Sequence, residues 1–314
     1  MYLIRQGSRV CINTPAKLNF FLELHRRRAD GFHDLDTLMV PISLFDSLTI
    51  ENTTSSDSDS NLHVRCKWAD GLPQSQRAAM PSEQDNIVTK ALQLLRTAAG
   101  VEAGANVELT KRIPAQAGLG GGSSDAAAAL IGANEVWQLG WRLEALAEVG
   151  AEVGSDVPFF LFDSHRAMSP LVRCTGRGEV METASMKGRL HCVVVKPDFG
   201  LSTPEVFGQV TVPEKPKSSE SVRRCLAAND LRGLAESMFN RLQRAAEKLT
   251  PWIEEIARQM SRLSVWAHQL SGSGTSYFAV CRNKRQAWHV AARLRATRLG
   301  RVMVATTLGP RLAH

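Results

Sequence analysis

Residues Pro114 to Ala129, PAQAGLGGGSSDAAAA, assemble in one stretch the groups that a polyphosphate needs. Gly118, Gly120, Gly121 and Gly122 fill four of five successive positions, and Ser123 and Ser124 follow before an alanine-rich run. Glycine lets backbone N–H groups approach a ligand closely and accepts positive φ. A helix starting behind such a loop adds N–H groups without intrahelical partners and the positive end of the helix dipole. The pattern therefore predicts an anion cradle. It is not the G-x-x-x-x-G-K-[ST] loop, nor G-x-G-x-x-G, because Ser123 stands where the third glycine would fall, and no G-x-S-x-G surrounds a serine. A flexible linker or a long helix cap is the plain alternative, but linkers rarely lie directly between a clean strand pattern and a clean helix pattern.

Phosphoryl transfer needs a phosphate cradle, charge neutralisation and a group that deprotonates or orients the attacking hydroxyl. Ser123 and Ser124 have hydroxyls suited to phosphate oxygens and equally suited to capping a helix. Lys17 is a cation on an otherwise apolar strand, and Asp156 is an acid in an S-D-V-P turn. Taken singly, the ordinary reading of Lys17 is a solvated lysine and that of Asp156 a helix N-cap. If the two met, such a pair would supply a base for a hydroxyl proton and a cation for the forming alkoxide.

The elements that must position these groups are legible from periodicity. Val107, Leu109, Lys111 and Ile113 alternate as a strand leading into the glycine loop, and a helix is predicted behind it from Asp125 to about Gln138. Residues 16–24 alternate too, which puts Lys17 and Asn19 on one face. Ala29-Asp30-Gly31 reads as a turn before Phe32-His33. Helices are expected over 85–98, capped by Asp85 or Ser82, over about 143–153, and near 229–247, 251–262 and 284–297. Another begins at Thr203-Pro204-Glu205. Strands are expected at 191–196, through Phe278 and Val280, and at 302–305, with a loop over 213–221. The polar run 52–61 suggests a mobile hairpin tip. A boundary near residue 184 divides the chain into 1–184 and 185–314.

Composition bounds the function classes. The chain has 314 residues, 44% hydrophobic and 22% charged, enough for a sizeable core in two domains. The formal charge of +7 suits phosphorylated small molecules, while spread-out basic residues and only 6% aromatics give no platform for nucleic acid. Six cysteines show no C-x-x-C pair and no zinc spacing, as expected of reduced thiols in a cytoplasmic enzyme. The N-terminus lacks a signal-peptide core and no apolar run is long enough to span a membrane. No metal ligand and no oligomeric state, monomer or homodimer, is readable.

The motifs together resemble the GHMP superfamily of small-molecule kinases, and within it the kinases of 4-diphosphocytidyl-2-C-methyl-D-erythritol. The resemblance rests on PAKLNFFL at 15–22, ADGFHDL at 29–35, DNIVTKALQLL at 85–95, PAQAGLGGGSSDAAAAL at 114–130, GSDVPFFL at 154–161, GRGE at 176–179, STPEVF at 202–207 and LSGSGTSYF at 270–278. It implies an α+β chain with an N-terminal domain like the second domain of ribosomal protein S5 and a ferredoxin-like C-terminal domain. It implies Asp156 as catalytic base and Lys17 as its partner. Pro114, Ala115, Gln116, Ala117, Gly118, Leu119, Gly120, Gly121, Gly122, Ser123 and Ser124 would hold ATP, with Asn86 nearby and Mg²⁺ expected. Asn19 would contact the substrate, a small molecule with a cytidine diphosphate group. Phe32 would stack on the cytosine, His33 bond its edge and Phe207 cover the other face, with Gly272, Ser273 and Gly274 forming a second glycine loop. Phe32 is also readable as a core residue. Two departures are visible: Phe32 where the family often has tyrosine, and Thr275-Ser276 where a proline or alanine pair is more usual. Another GHMP kinase, for a mevalonate-type, homoserine or sugar alcohol, and a non-catalytic nucleotide-binding module are the rival expectations.

Overall fold

A computed structural model describes residues 1–53, 61–72, 74, 77, 80–165 and 171–309. Most of the polar run 52–61, read above as a hairpin tip, lies outside the described residues. The chain divides into two compact units, each assembled from separated segments: Met1–Ala16, Leu44–Ala115 and Gly120–His165 in the first, and Lys17–Ser43, Gln116–Leu119 and Arg166–His314 in the second. Among the described residues no helix is long and apolar enough to cross a membrane, and all six cysteines are free thiols.

In the first unit, β1 (Tyr2–Gln6) forms a hairpin with β2 (Arg9–Arg27), closed by Gly7 at φ 63°. The later half of β3 (His33–Asn52) pairs antiparallel with β5 (Ala105–Lys111), which lies parallel to β4 (Leu62–Trp68). On β3 the residues Asp46, Leu48 and Ile50 face inward, and on β5 Ala105, Val107, Leu109 and Lys111 do. Helix α1 (Ile87–Ala99) is held at both ends: Asn86 Oδ1 accepts from Val88 N–H, and Gly100 closes the C-terminus in the left-handed conformation. Helix α2 (Gly121–Val136) is almost wholly buried, which its short alanine side chains permit. It starts four residues earlier than periodicity predicts, because Gly120, at φ 68°, serves as N-cap and the remaining glycines and serines become the first turn. Helices α3 (Leu143–Val153) and α4 (Val157–His165) complete the unit.

In the second unit, the early part of β3 pairs with β6 (Leu171–Gly176), which pairs with β7 (Val180–Ala184). Strand β8 (His191–Lys196) is followed by α5 (Thr203–Gly208), α6 (Glu220–Ala228), α7 (Leu231–Ser237), β9 (Phe239–Asn240), α8 (Gln243–Leu249) and α9 (Pro251–Ser261). Then come β10 (Ala267–Leu270), β11 (Tyr277–Cys281), α10 (Lys284–Ala296) and β12 (Arg301–Thr306). The sheet order is β10-β11-β8-β12, antiparallel throughout. Leu242, Ala246, Ile253, Ile256, Val290 and Leu294 pack with Val193, Val195 and Ala279 into one core.

The helix expected over 229–247 is broken. Asp230 caps α7 by accepting from Arg232 and Gly233 N–H, and the chain then straightens so that Phe239 and Leu22's partner Asn240 pair in parallel with Phe21 and Leu22 of β2. Arg241 N–H donates to Leu22 C=O at 2.8 Å. The β2 edge needs these backbone partners, and that demand outweighs local helix propensity. The loop expected over 213–221 ends at Ser219, where α6 begins.

Candidate functional site

The second unit draws together Lys17, Asn19, the first part of the glycine loop at Gln116–Leu119 and the second glycine loop. Lys17 and Asn19 are 4% and 2% exposed, so Lys17 is not a solvated surface lysine. Its ammonium donates to Asn19 Oδ1 at 2.6 Å, Asn19 Nδ2 donates to Thr37 Oγ1 at 2.8 Å, and Thr37 donates to Phe21 C=O at 2.7 Å. A buried amine of this kind stays in place only with oriented acceptors, and the relay supplies one from the neighbouring strand position that the alternation put on the same face. Gln269 Nε2 fixes the Asn19 backbone carbonyl at 2.8 Å.

The first glycine loop is tied down by its apolar residues. Ala117 and Leu119 are buried, and their carbonyls accept from Ser276 N–H at 3.0 Å and Lys17 N–H at 2.9 Å. Ser271 Oγ donates to Gly118 C=O at 3.0 Å. The approach at Gly118 is tight: its φ is 68°, and a Cβ there would lie 2.1 Å from Ser271 O and 2.9 Å from Gly274 O. Gly118→Ala is therefore expected to cost about 1–3 kcal/mol through strain and backbone overlap. A lower urea midpoint together with weakened nucleotide binding would show it, and unchanged values would mean the two loops separate without penalty.

The second glycine loop, Ser271 to Ser276, is held from a residue that the sequence reading placed inside a helix. Asn240 Nδ2 donates to Leu270 C=O at 2.9 Å and Gly272 C=O at 2.8 Å. Its apparent helical context hid it. A side chain on Gly272 would meet Lys17 Nζ at 3.3 Å and Asn19 Oδ1 at 3.4 Å, so this loop stands against the lysine relay. Ser273 and Thr203 share a hydroxyl hydrogen bond of 2.9 Å, and Thr275 donates to Phe199 C=O at 3.1 Å. The unusual Thr275 thus has a defined structural use.

The aromatic residues fall into two contacts. His33 and Phe207 pack ring to ring at 5.6 Å. Burial, then the Arg27 charge, hold the His33 imidazole below its ordinary value, so its ring can both donate and accept. Phe32 is 48% exposed and is not a core residue. One face lies under the Arg177 guanidinium, 4.2 Å from the ring centroid, and its N–H donates to Asp30 Oδ1 at 3.1 Å.

The first unit contributes the start of α2, Asn86 and Asp156. The N–H groups of Gly121, Gly122 and Ser123 precede the first helical hydrogen bond, Ser124 N–H to Gly120 C=O. Ser124 is fully buried and its hydroxyl donates to Pro15 C=O at 2.7 Å, beside Thr14. Ser123, half-buried, has the more accessible hydroxyl. Pro114 is buried, whereas Ala115 and Gln116 are exposed. Asn86 caps α1 in place of Asp85 or Ser82, and its Nδ2 donates to Cys66 Sγ at 2.9 Å. Asp156 is half-buried in the turn immediately before α4.

Comparison with known proteins gives one answer along the chain. Residues 86–164 match the GHMP kinases N terminal domain and residues 222–298 the GHMP kinases C terminal domain. A 4-diphosphocytidyl-2-C-methyl-D-erythritol kinase of Rhodopirellula baltica is 35% identical, with 92% of each chain covered. One of Pelotomaculum thermopropionicum is 34% identical over 95% of this chain and 97% of its own. A crystal structure of 4-(cytidine 5'-diphospho)-2C-methyl-D-erythritol kinase, 31% identical, superposes with a TM-score of 0.76 over 95% of this chain and 99% of that one.

Proposed function

Because the chain belongs to the 4-diphosphocytidyl-2-C-methyl-D-erythritol kinase family of GHMP kinases, we propose that it transfers the γ-phosphoryl group of ATP to the 2-hydroxyl of that cytidine diphosphate compound, a step in non-mevalonate isoprenoid precursor synthesis. The observation that carries the reading is the joining of the two glycine loops to the buried Lys17–Asn19–Thr37 relay.

The residues divide the work as follows. Backbone N–H groups of Gly118 to Ser123 hold the triphosphate, and loop anchoring through Ala117 and Leu119 keeps them oriented before it binds. Asp156 accepts the proton of the tertiary alcohol. Lys17, aimed by Asn19, stabilises the negative charge that develops on the attacking oxygen. Phe32 supplies a stacking surface, which does not select among bases; His33 and Phe207 supply the edge contact and the opposing ring, and the edge contact selects cytosine. When bound with the triphosphate, Mg²⁺ would neutralise part of its charge.

The connection β8, helices, β10, β11, α10, β12 with sheet order β10-β11-β8-β12 supports the ferredoxin-like reading of the C-terminal part. The free thiols support a cytoplasmic location.

Incubation with ATP, Mg²⁺ and 4-diphosphocytidyl-2-C-methyl-D-erythritol is expected to yield ADP and a monophosphorylated product, with cytidine nucleotides competing against the acceptor. Binding of both ligands without product would refute kinase activity. Turnover of mevalonate or homoserine with no competition by cytidine nucleotides would transfer the assignment to another branch of the GHMP kinases.

A further inference from the structure

Behind the first turn of α2 lies a buried group of charged side chains that the phosphoryl-transfer roles leave unused. Lys111, on the inward face of β5, donates to both Asp46 Oδ2 and Asp125 Oδ2. Asp46 is fully buried and Asp125 is 1% exposed. Asp46 Oδ1 also accepts backbone N–H bonds from Arg112 and from Ile113, the latter at 2.9 Å. Three donors satisfy Asp46 as an anion, and its charge balances that of Lys111.

Asp125 is in a different position. Its Oδ1 is buried without a hydrogen-bond partner among the described residues, and an ionised carboxylate there would be a second, uncompensated negative charge. Both carboxyls bond the same Lys111 ammonium, so a single cation faces two buried acids. Two carboxylates on one buried ammonium leave a net negative charge, and a proton on one of them removes it.

We propose that Asp46 and Asp125 share one proton, held on Asp125, so that with Lys111 they form a neutral positioning cluster for the first turn of the donor-binding helix. The role in donor binding rests on reading Gly118–Ser124 as the ATP loop. Gly121 connects the cluster to that loop: a Cβ on it would lie 2.7 Å from Ile113 Cγ2 and 3.5 Å from Lys111 Nζ. A neutral cluster holds the helix start rigid without setting a negative charge behind the N–H groups that face the triphosphate.

The electrostatics agree with the geometry. Burial first, then Asp46, push the Asp125 carboxyl well above its ordinary range against the pull of Lys111. Burial alone would lower the Lys111 ammonium, and the two aspartates outweigh it and raise it. The other titratable group facing the cluster is Cys66 of β4, whose thiol is pushed up, by burial first; Asn86 at the start of α1 donates to that thiol.

The shared proton is read directly by carbon NMR of ligand-free protein labelled at the aspartate carboxyls. One resonance is expected at the protonated position at neutral pH, missing in Asp125→Asn; carboxyls that are all ionised would overturn the proposal. Asp125→Asn replaces the protonated carboxyl by a neutral group of the same shape, so its affinity for a non-hydrolysable ATP analogue by calorimetry should stay within about twofold of wild type. Lys111→Met, which strips Asp46 of its counter-charge, should weaken that affinity about tenfold or more. A tenfold loss in Asp125→Asn would show that an anion is needed there and would overturn the proposal.

Stability against pH gives a second reading with a fixed sign. The folded state holds a proton that the unfolded chain releases above about pH 4. The folding equilibrium of wild type relative to Asp125→Asn should therefore fall about tenfold per pH unit from there up to the raised folded value. A flat difference would overturn the proposal. Failure of wild type to bind the analogue would overturn only the role in donor binding, whereas a missing protonated resonance overturns the shared proton itself.

Discussion

Asp156→Asn is expected to lower kcat by about 10²–10⁴-fold, the usual contribution of a positioned general base, while ATP binding stays nearly unchanged. The substitution is chosen because it separates the two readings of this residue. Asp156 stands directly before α4, where a capping role is the ordinary explanation of an acid. Asparagine caps a helix as well as aspartate does, so a residue needed only for capping would tolerate the change in both thermal midpoint and turnover. Asparagine cannot accept the alcohol proton as a base. Loss of turnover with an intact midpoint and intact nucleotide binding, measured by ADP release and calorimetry, assigns proton abstraction to Asp156. Near-normal turnover would remove it from the chemistry.

Lys17→Met should reduce kcat by about 10²–10³-fold, the scale on which removal of one preorganised charge-stabilising group acts. Methionine retains most of the aliphatic stem, so packing is largely preserved. The ammonium is lost from a position 4% exposed, and Asn19 Oδ1 loses the donor now 2.6 Å away. An orphaned buried acceptor costs about 1–3 kcal/mol of stability, so the thermal midpoint should also fall. The diagnostic feature is the separation of kcat from KM. A group that acts on charge developing in the transition state lowers kcat with little change in KM for either substrate. A lysine that merely supports the fold would lower the midpoint and leave kcat of the folded fraction intact.

Much of the candidate site was legible before any coordinates, because its signals are local. The glycine loop is a contiguous segment, and its strand and helix neighbours are set by periods of two and about three and a half residues. The same alternation put Lys17 and Asn19 on one strand face, and in the structure they bond. It also placed Lys111 inward on β5, and an inward lysine demands buried carboxylates, although nothing nearby indicates which. The helix limits were less legible. Gly121 to Ser124 read as loop because glycine and serine are weak helix formers, yet they form the first turn of α2, where Gly120 serves as N-cap and the buried run 124–130 continues the helix.

What escaped the sequence reading depends on pairings between distant positions. Asn240 grips the second glycine loop across 30 and 32 residues, from a segment with helical composition. Lys111 reaches Asp46 across 65 residues. Ser124, equally suited to phosphate or to a cap, spends its hydroxyl on Pro15, 109 residues away.

By itself the amino-acid sequence determined the family, the glycine-rich loop before α2 and the identity of the groups available for chemistry, since backbone freedom, side-chain pKa class and hydrogen-bonding capacity are properties of residues and short segments. Only the tertiary structure decided which of those groups are buried, which hydroxyls are already committed, and which carboxyls share one ammonium. Those outcomes are set by desolvation and by partners that close long loops of chain, and neither is a property of any local stretch.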